Sequence, residues 1–338
     1  MPLVEKSEYA APWWLRNGHV QTIANAFRRA PRVAYLRERI ETPDGDFLDL
    51  DWCKSGAGGP VCPAQTRTSA PRLAVVSYGM ESESSSAYVR ATVALLCAEN
   101  FDVVVWNYRG CGGEPNRKLH FYHGGLIADL DAVIRHAIAR GYSDIRLAGF
   151  SLGGNLLLNW LGHRGADVPA AVKRAVAFSV PTDVADCAVQ LHGPLNRIYA
   201  RLFLRSFRKK VRAKMAAMPG QLDDRAFDSI ATLEDYDGHY TVPQFGFASV
   251  ADMYRSVSSR HVIGSIRVPT LIVCALDDPF MGPNCFPADA ARENPNIFLE
   301  CPRHGGHLGF LQSGGGSWME KRVVEFLAAG PAQRGQCP

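Results

Sequence analysis

The sequence predicts an α/β fold, in which a mostly parallel central sheet is flanked by helices and carries a helical cap insertion. Short apolar strand patterns alternate with amphipathic helix patterns, as is typical of a parallel sheet covered on both faces. The alternation stops over residues 184–261, where the patterns indicate helices and loops but no buried strand. With 338 residues, of which 47% are hydrophobic, the chain can bury a large core.

The first part of the core has the patterns of six strands and three helices. Two strand patterns flank Asp44-Gly45, a pair of residues that favours a β-hairpin turn. Gly141 is expected to end the second helix, and residues 54–71 are rich in Gly, Pro, Ser and Thr and predict a surface loop. The strands are expected at 33–40, 47–52, 72–78, 102–108, 145–150 and 172–178, and the helices at 85–99, 124–140 and 154–162.

The rest of the chain completes this core after the cap. Strands are expected at 268–275 and 296–300, with a closing helix at 317–328. Trp13 and Trp14 need burial or a partner, so the first residues are interpreted as an arm packed on the core rather than as a site built on His19. The predicted organisation is an arm (1–30), a first core part (31–183), a cap (184–261), a second core part (262–330) and a tail (331–338).

Composition excludes several classes of protein. The net charge of +4 argues against general nucleic-acid binding. Nine scattered cysteines without a C-x-x-C pair indicate reduced thiols rather than a disulfide framework or a zinc site. The first residues lack the charged and apolar regions of a signal peptide, and no apolar run is long enough to span a bilayer. A cytoplasmic protein of unknown oligomeric state is therefore expected.

One motif organises the chain. The residues Gly149-Phe150-Ser151-Leu152-Gly153 lie between a strand pattern and a helix pattern, which is the setting of a G-x-S-x-G nucleophile elbow. Such a turn presents the serine hydroxyl above the strand ends, and a side chain at Gly149 or Gly153 would collide with the neighbouring strand and helix. The alternative is a glycine-rich turn with an incidental serine.

A serine hydroxyl is a poor nucleophile at neutral pH and needs a base and an acid from elsewhere in the chain. Acid candidates are Asp278 and, as runner-up, Asp277, which both follow a predicted strand. Asp278 is preferred because the loop can turn inward at that point. Asp183 is an outside candidate, but a role as the N-cap of the next helix explains it adequately.

The base is expected after the last strand, which completes the order nucleophile, acid, histidine. His307 is preferred over His304 because Gly305 and Gly306 give its loop the backbone freedom that a protruding histidine needs. Each of these residue types alone is more often structural. The ordered set, with each member just after a strand, predicts a Ser151–Asp278–His307 triad.

The oxyanion hole should consist of two backbone N–H groups. One is expected from Leu152, directly after the nucleophile, and the other from Met80, in the loop after the strand at 72–78. The inferred chemistry is two-step acyl transfer through Ser151, with water or another alcohol releasing the acyl group. It needs no metal or organic cofactor. A serine at this position argues against dehalogenase or epoxide-hydrolase chemistry, which would use an aspartate.

These motifs resemble the α/β-hydrolase superfamily over nearly the whole chain, and within it the branch of YheT-like and abhydrolase-domain carboxylesterases. The resemblance implies an α/β-hydrolase fold, the triad Ser151, Asp278 and His307, and activity on short- to medium-chain esters. The chain departs from this family at Tyr78-Gly79, where the family usually has His-Gly, although the backbone donor is retained. The matching motifs are Gly18-His19-Val20-Gln21-Thr22, Arg109-Gly110-Cys111, Gly113-Glu114-Pro115-Asn116, Tyr122-His123-Gly124, residues 149–154, Asp277-Asp278-Pro279-Phe280 and residues 305–310.

A basic segment distinguishes the cap. Residues 195–218 have apolar residues at helical spacing, and residues 195–214 contain eight Lys or Arg and no acid. The favoured interpretation is an amphipathic cap helix with a solvated basic face; the alternative is a peripheral membrane contact. Three functions follow: a serine carboxylesterase, an acyltransferase or phospholipase acting on lipid esters at a membrane surface, and a non-catalytic binding protein on a hydrolase scaffold. The substrate is expected to be a small-molecule or lipid ester.

Overall fold

The computed structural model describes residues 3–4, 7–55 and 71–330. Its eight strands are β1 (Leu36–Glu41), β2 (Phe47–Cys53), β3 (Arg72–Ser77), β4 (Phe101–Asn107), β5 (Asp144–Phe150), β6 (Val172–Phe178), β7 (Thr270–Val273) and β8 (Ile297–Glu300). They form one sheet in the order β1-β2-β4-β3-β5-β6-β7-β8. β2 is antiparallel to both neighbours, and the remaining pairs are parallel, so the mostly parallel sheet is confirmed.

The helices divide into those of the core and those of the cap. Core helices are α1 (Gly18–Phe27), α2 (Ala87–Ala98), α3 (Ile127–Ala139), α4 (Leu152–Arg164), α10 (Ala288–Glu293) and α11 (Trp318–Ala328). Cap helices are α5 (Val184–Leu191), α6 (Arg197–Ala217), α7 (Leu233–Tyr236), α8 (Val242–Phe245) and α9 (Val250–Val257). One π-helical turn, Asp237–Thr241, joins α7 to α8.

The central strands are buried along nearly their whole length. In β3 the run Leu73, Ala74, Val75 and Val76 is almost inaccessible to solvent, and β4 is buried throughout. Helix α2 packs beside α11, and α3 packs beside α4, which gives the sheet its two covering layers. Burial on both faces explains why these strands are continuous apolar runs rather than alternating ones.

The register of the sheet places the ends of the parallel strands side by side. Gly149 of β5 lies opposite Ser77 of β3, and Phe150 lies opposite Phe178 of β6. At the other side, Val273 of β7 lies opposite Glu300 of β8. The loops that follow β3, β5, β7 and β8 therefore emerge at one edge of the sheet, which is where ligands bind in open α/β folds.

Most predicted elements are confirmed within one to three residues. The predicted hairpin joins β1 to β2, and Gly141 ends α3 with φ +89°. The largest differences are three residues: β1 begins at Leu36 rather than at residue 33, and α3 begins at Ile127 rather than at residue 124. A turn closed by the Leu126 N–H and the His123 carbonyl precedes α3. Most of the predicted loop at 54–71 and the tail at 331–338 lie outside the described residues.

Residues 184–261 contain helices and no strand. The cap helices have an apolar cluster of their own, distinct from the sheet core, in which Leu191, Phe207 and Tyr236 pack with Phe280. Helix α6 turns Tyr199 and Phe207 inward but leaves Ile198 and Leu202 exposed. In the described part of the chain, no helix combines the length and the apolar character needed to cross a membrane.

Candidate active site

Ser151 occupies the sharp turn between β5 and α4. Its backbone has φ +51° and ψ −122°, a conformation that non-glycine residues rarely adopt. The turn is fixed from both sides, since the Ser151 N–H donates to the Phe178 carbonyl (2.9 Å) and the Ser151 carbonyl accepts from the Asn155 N–H (3.0 Å). The side chain consequently lies at the cavity described below.

Two glycines make this turn possible because neighbouring backbone leaves no room for a side chain. A Cβ at Gly149 would lie 2.7 Å from the Cα of Gly154 in the helix behind it. A Cβ at Gly153 would lie 2.3 Å from the carbonyl oxygen of Ser77 at the end of β3. Both distances are below van der Waals contact, so the collisions expected from the sequence are present in the structure.

His307 bridges Ser151 and Asp278. Its Nε2 lies 2.9 Å from the Ser151 hydroxyl oxygen, and its Nδ1 lies 3.0 Å and 3.2 Å from the two carboxylate oxygens of Asp278. The Asp278 carboxylate also accepts from the Phe280 N–H (2.9 Å), and the Phe280 ring packs 4.2 Å from the imidazole between ring centres. Both partners of His307 are in place for a proton transfer from the serine.

The runner-up residues form a second pair beside the first. His304 Nδ1 lies 3.2 Å from one oxygen of Asp277, whose other oxygen accepts from the Gly306 N–H (2.9 Å). This pair ties the histidine loop to the aspartate loop without contacting Ser151. Asp183 is the N-cap of α5, as the sequence predicted, because its side chain accepts from the Asp186 N–H. It also forms an ion pair with Arg260.

The N-terminal segment holds the histidine loop in place. The Thr22 hydroxyl accepts a hydrogen bond from the His307 N–H (2.9 Å) and donates one to the Gly18 carbonyl (2.7 Å). The buried Gln21 accepts from the Leu311 N–H (2.9 Å). A Cβ at Gly18 would lie 1.8 Å from the Asp277 carbonyl oxygen, so α1 touches both loops that supply the polar site residues.

The loop after β3 lies directly beside Ser151. A Cβ at Gly79 would come within 3.2 Å of the Ser151 Cβ. The loop is held by two tyrosines, since the Gly79 N–H donates to the Tyr88 hydroxyl (2.9 Å) and the Glu81 N–H donates to the Tyr122 hydroxyl (3.0 Å). Met80 lies between Gly79 and Glu81, and Leu152 follows Ser151. The N–H groups of Met80 and Leu152 donate to no other described residue, which leaves both available to an oxyanion.

A cavity of about 340 Å³ opens at Ser151 and is within the usual size range of small-molecule sites. Its floor is formed by Ser151, Leu152, Met80 and His307, and its walls come mostly from apolar side chains of the cap. The wall residues include Val184, Ala188 and Leu191 of α5, Phe203 and Phe207 of α6, Met253 and Val257 of α9, and Phe280 and Met281.

The lining also includes charged residues: Glu81 and Lys210, which form an ion pair (2.7 Å), and Asp237. Asp237 differs from the other two in its partners. Its carboxylate accepts hydrogen bonds from the Thr241 hydroxyl (2.7 Å) and the Tyr254 hydroxyl (3.1 Å), and no cation among the described residues pairs with it. Burial raises the pKa of Asp237 to about 6, and the nearby Glu234 carboxylate adds to that shift. Within the described ranges, no group of three or more His, Cys, Asp or Glu side chains could hold a metal ion.

Several site residues were not identified as such from the sequence. The sequence places Thr22 and Gln21 in the N-terminal arm, although the motif that contains them is one of those shared with the resembled family. Tyr88, which accepts from the Gly79 N–H, belongs to no motif that indicates this role. Tyr122 belongs to the shared motif Tyr122-His123-Gly124, but that motif alone does not indicate a contact with the Glu81 N–H, 41 positions away. Phe280 lies two residues after Asp278, within the shared motif Asp277-Asp278-Pro279-Phe280, and that motif is the sequence signal for its place beside His307.

With this geometry established, comparison with known proteins defines the class. The family model described as serine aminopeptidase, S33, matches residues 69–285. The chain is 33% identical to the Escherichia coli esterase-like protein YheT, over 92% of this chain and 90% of that one. It is 30% identical to mouse phospholipase ABHD3, over 97% and 80% respectively.

Two more distant proteins also match this chain. A Saccharomyces cerevisiae monoacylglycerol lipase is 25% identical over 93% of this chain and 78% of its own length. Among solved structures, the Pyrococcus furiosus esterase Pf2001 has the same fold, with a TM-score of 0.56 and 16% identity over 89% of this chain and 96% of that one. The protein is a hydrolase by class. It belongs to the α/β-hydrolase superfamily, among its esterase-like members.

Proposed function

We propose that this protein is a serine carboxylesterase that cleaves short- to medium-chain acyl esters through an acyl-enzyme on Ser151. The observation that carries the proposal is the hydrogen-bonded line from Asp278 through His307 to the Ser151 hydroxyl, at the floor of an apolar cavity. Each contact in that line is within the distance that general-base catalysis requires.

In the proposed mechanism His307 Nε2 takes the Ser151 proton as the serine oxygen attacks the ester carbonyl carbon. Asp278 accepts from the Nδ1–H, which keeps the imidazole in the required tautomer and stabilises the imidazolium. The imidazolium then protonates the departing alkoxide, which leaves the acyl group on Ser151. Water, or another alcohol, attacks the acyl-enzyme with His307 again as base.

The negative oxygen of each tetrahedral intermediate is proposed to bind the N–H groups of Met80 and Leu152. The support is that both groups lie beside Ser151 and lack an acceptor among the described residues. The positive end of the α4 dipole favours an anion at the same place. Loss of one such donor typically lowers turnover by roughly 10²–10³-fold.

Hydrolysis of p-nitrophenyl esters of graded chain length tests the proposal. Wild-type protein should release p-nitrophenol, with the highest kcat/KM at an intermediate acyl length because the walls of the cavity are apolar and bounded. Ser151→Ala should reduce turnover to background on every ester. Turnover that survives in Ser151→Ala would refute the proposal. Wild-type protein that is inactive on every chain length would also refute it, and would support the non-catalytic binding protein instead.

A second candidate is a lipase, phospholipase or acyltransferase that uses the same residues on lipid esters. It is favoured by two of the relatives, one named a phospholipase and one a monoacylglycerol lipase, and by the apolar cap walls. Side-by-side assays with a p-nitrophenyl ester, a monoacylglycerol and phosphatidylcholine would distinguish the two. A kcat/KM on either lipid at least tenfold above the best soluble ester would favour the lipid substrate.

A further inference from the structure

Exposed apolar side chains are concentrated in two segments of the described chain. Trp13 is 77% exposed, Phe27 is 84% exposed and Leu202 is 60% exposed. Exposed apolar side chains are normally scattered singly over a protein surface, so a concentration of them needs an explanation. Val20, Ile23 and Phe27 occupy one face of α1, at the spacing i, i+3, i+7. Ile198 and Leu202 occupy the outer face of α6, at i and i+4.

A direct contact joins the two segments. His19 of α1 stacks on Tyr199 of α6, with nearly parallel rings whose centres are 5.9 Å apart, and its Nδ1 lies 3.2 Å from the Tyr199 hydroxyl. Val20 and Ile23 lie within four residues of His19, and Ile198 and Leu202 lie within three residues of Tyr199, so we infer that the exposed residues of the two segments belong to one surface. We call it the arm–cap surface and define it by Trp13, Trp14, Val20, Phe27, Ile198 and Leu202.

The arm–cap surface is also strongly cationic. The exposed side chains of Arg197, Arg201, Arg205 and Lys209 follow the outer face of α6, and none forms an ion pair with a described residue. Residues 9–37 and 187–222, which contain the two segments, include no Asp or Glu. An apolar face rich in tryptophan and flanked by unpaired Arg and Lys matches the chemistry of an anionic lipid surface.

We propose that the arm–cap surface binds anionic lipid bilayers and seats the protein on the membrane. Trp13, Trp14 and the apolar side chains of α1 and α6 would enter the headgroup region, while the α6 cations pair with lipid phosphates. This extends the lipid-ester candidate of the proposed function, but binding itself does not depend on catalysis. A protein partner is less well matched, because the four cations lie next to apolar side chains rather than around a defined pocket.

The surface is close to the proposed catalytic residues. Tyr199 packs edge-on against Phe280 (4.9 Å between ring centres), and Phe280 packs on the His307 imidazole (4.2 Å). Helix α6 also contributes Phe203 and Phe207 to the cavity wall from its inner face. Seating through the outer face of α6 would therefore bring a bilayer to within one helix diameter of the cavity.

Vesicle co-sedimentation of the full chain tests the proposal. The protein carries Ser151→Ala, so that no lipid is cleaved. The vesicles are phosphatidylcholine with or without about 30 mol% phosphatidylglycerol, which supplies the negative surface charge. Binding is expected to anionic vesicles at low salt and to fall at least about tenfold in high salt. Absence of binding to anionic vesicles at low salt would overturn the proposal.

Paired variants locate the surface. Arg201→Gln with Arg205→Gln should weaken binding roughly 30-fold, at about fivefold for each cation. Trp13→Ala with Trp14→Ala should weaken it at least about tenfold. The matched control is Lys173→Gln with Arg267→Gln, two exposed cations at the opposite edge of the sheet, and it should bind like the parent. Equal binding by all three pairs would overturn the proposal.

Two further measurements separate the other outcomes. When they are made in the protein that keeps Ser151, the double arginine variant and the double tryptophan variant should retain activity on soluble esters. Retained activity shows that these variants have folded. If soluble esters are not cleaved but vesicles are bound, the proposed function fails and the arm–cap surface stands. If light scattering shows a dimer without lipid that Trp13→Ala with Trp14→Ala dissociates, and vesicles are not bound, a second copy is the occupant and the proposal is wrong.

Discussion

Two aspartate–histidine pairs lie side by side at the edge of the sheet, and they differ in what surrounds them. In the inner pair the Asp278 side chain is 0% exposed and His307 is 9% exposed, whereas Asp277 and His304 of the outer pair are 21% and 25% exposed. The inner imidazole reaches Ser151, and the outer carboxylate instead holds the Gly306 N–H. The same aspartate–histidine pairing thus contacts the Ser151 hydroxyl in one pair and holds a loop in the other.

The difference teaches that burial and a third partner, not the pairing itself, distinguish the proposed catalytic pair. A solvated ion pair contributes little to stability and nothing directional to a neighbouring hydroxyl. A buried carboxylate, which accepts from one imidazole nitrogen, orients the other toward the serine. The predictions below test this distinction in order of expected effect.

Replacing Asp278 by Asn should have the largest effect. The asparagine amide can donate a hydrogen bond to Nδ1, which favours the His307 tautomer with the proton on Nε2. In that tautomer Nε2 cannot accept the Ser151 proton, so kcat should fall about 10³–10⁴-fold with little change in KM. Steady-state kinetics on a p-nitrophenyl ester measure this, with thermal unfolding as the check on folding. Activity within tenfold of wild type would contradict the assigned role.

Asp237 is a partly buried carboxylate that pairs with hydroxyl groups rather than with a histidine. Its pKa of about 6 lies above the ordinary value of 3.8, so the native state holds the proton more tightly than the unfolded state. Stability from this group is therefore lost as pH rises from about 4 to 6. The unfolding free energy of Asp237→Asn relative to that of wild type should increase by about 2 kcal/mol from pH 4.5 to pH 7.5. Urea unfolding at a series of pH values measures this difference. A pH-independent difference would count against this account.

Replacing Thr22 by Val should weaken the support of the inner pair. The variant keeps the shape of the side chain but leaves the His307 N–H without its acceptor. A shift of the loop by a fraction of an ångström should lower kcat roughly 10–100-fold, mainly through misalignment of the imidazole. Thr22→Ser, which retains the hydroxyl, is the matched control and should remain near wild type. Equal losses in both variants would indicate a packing effect instead.

Replacing Asp277 by Asn should have the smallest effect on catalysis. Because the outer pair contacts no reacting atom, we expect less than a tenfold loss in kcat and a loss of about 1 kcal/mol in unfolding free energy. The same assays used for Asp278→Asn give a direct ratio between the two neighbouring positions. A loss as large as that of Asp278→Asn would remove the distinction between the pairs.

The sequence predicted those features that depend on local patterns. The apolar runs indicated the parallel strands, and the glycines around Ser151 indicated the elbow because steric exclusion acts within a few residues. The preference for Asp278 over Asp277 and for His307 over His304 rested on loop position, and the structure brings the preferred residues to Ser151.

Features that depend on distant contacts could not be predicted. Thr22 and His307 are 285 positions apart, and nothing in either segment alone specifies a hydrogen bond between a threonine hydroxyl and a histidine N–H. In the cap, helical spacing predicted the helix at 195–218, which is α6 (Arg197–Ala217), but not the way in which the cap helices pack on one another, because that packing depends on shape. The inward turn of Phe207 and the outward turn of Leu202 follow from that packing and not from their identity, since both are apolar.

Covalent labelling with a fluorophosphonate tests the central claim most directly, because the probe reacts with a serine only when the histidine and oxyanion donors activate it. The account predicts one adduct per chain, mapped by mass spectrometry to the peptide that contains Ser151. It also predicts labelling that is abolished in Ser151→Ala, greatly slowed in Asp278→Asn and nearly unchanged in Asp277→Asn. No adduct in wild type, or an adduct on another residue that persists in Ser151→Ala, would contradict it.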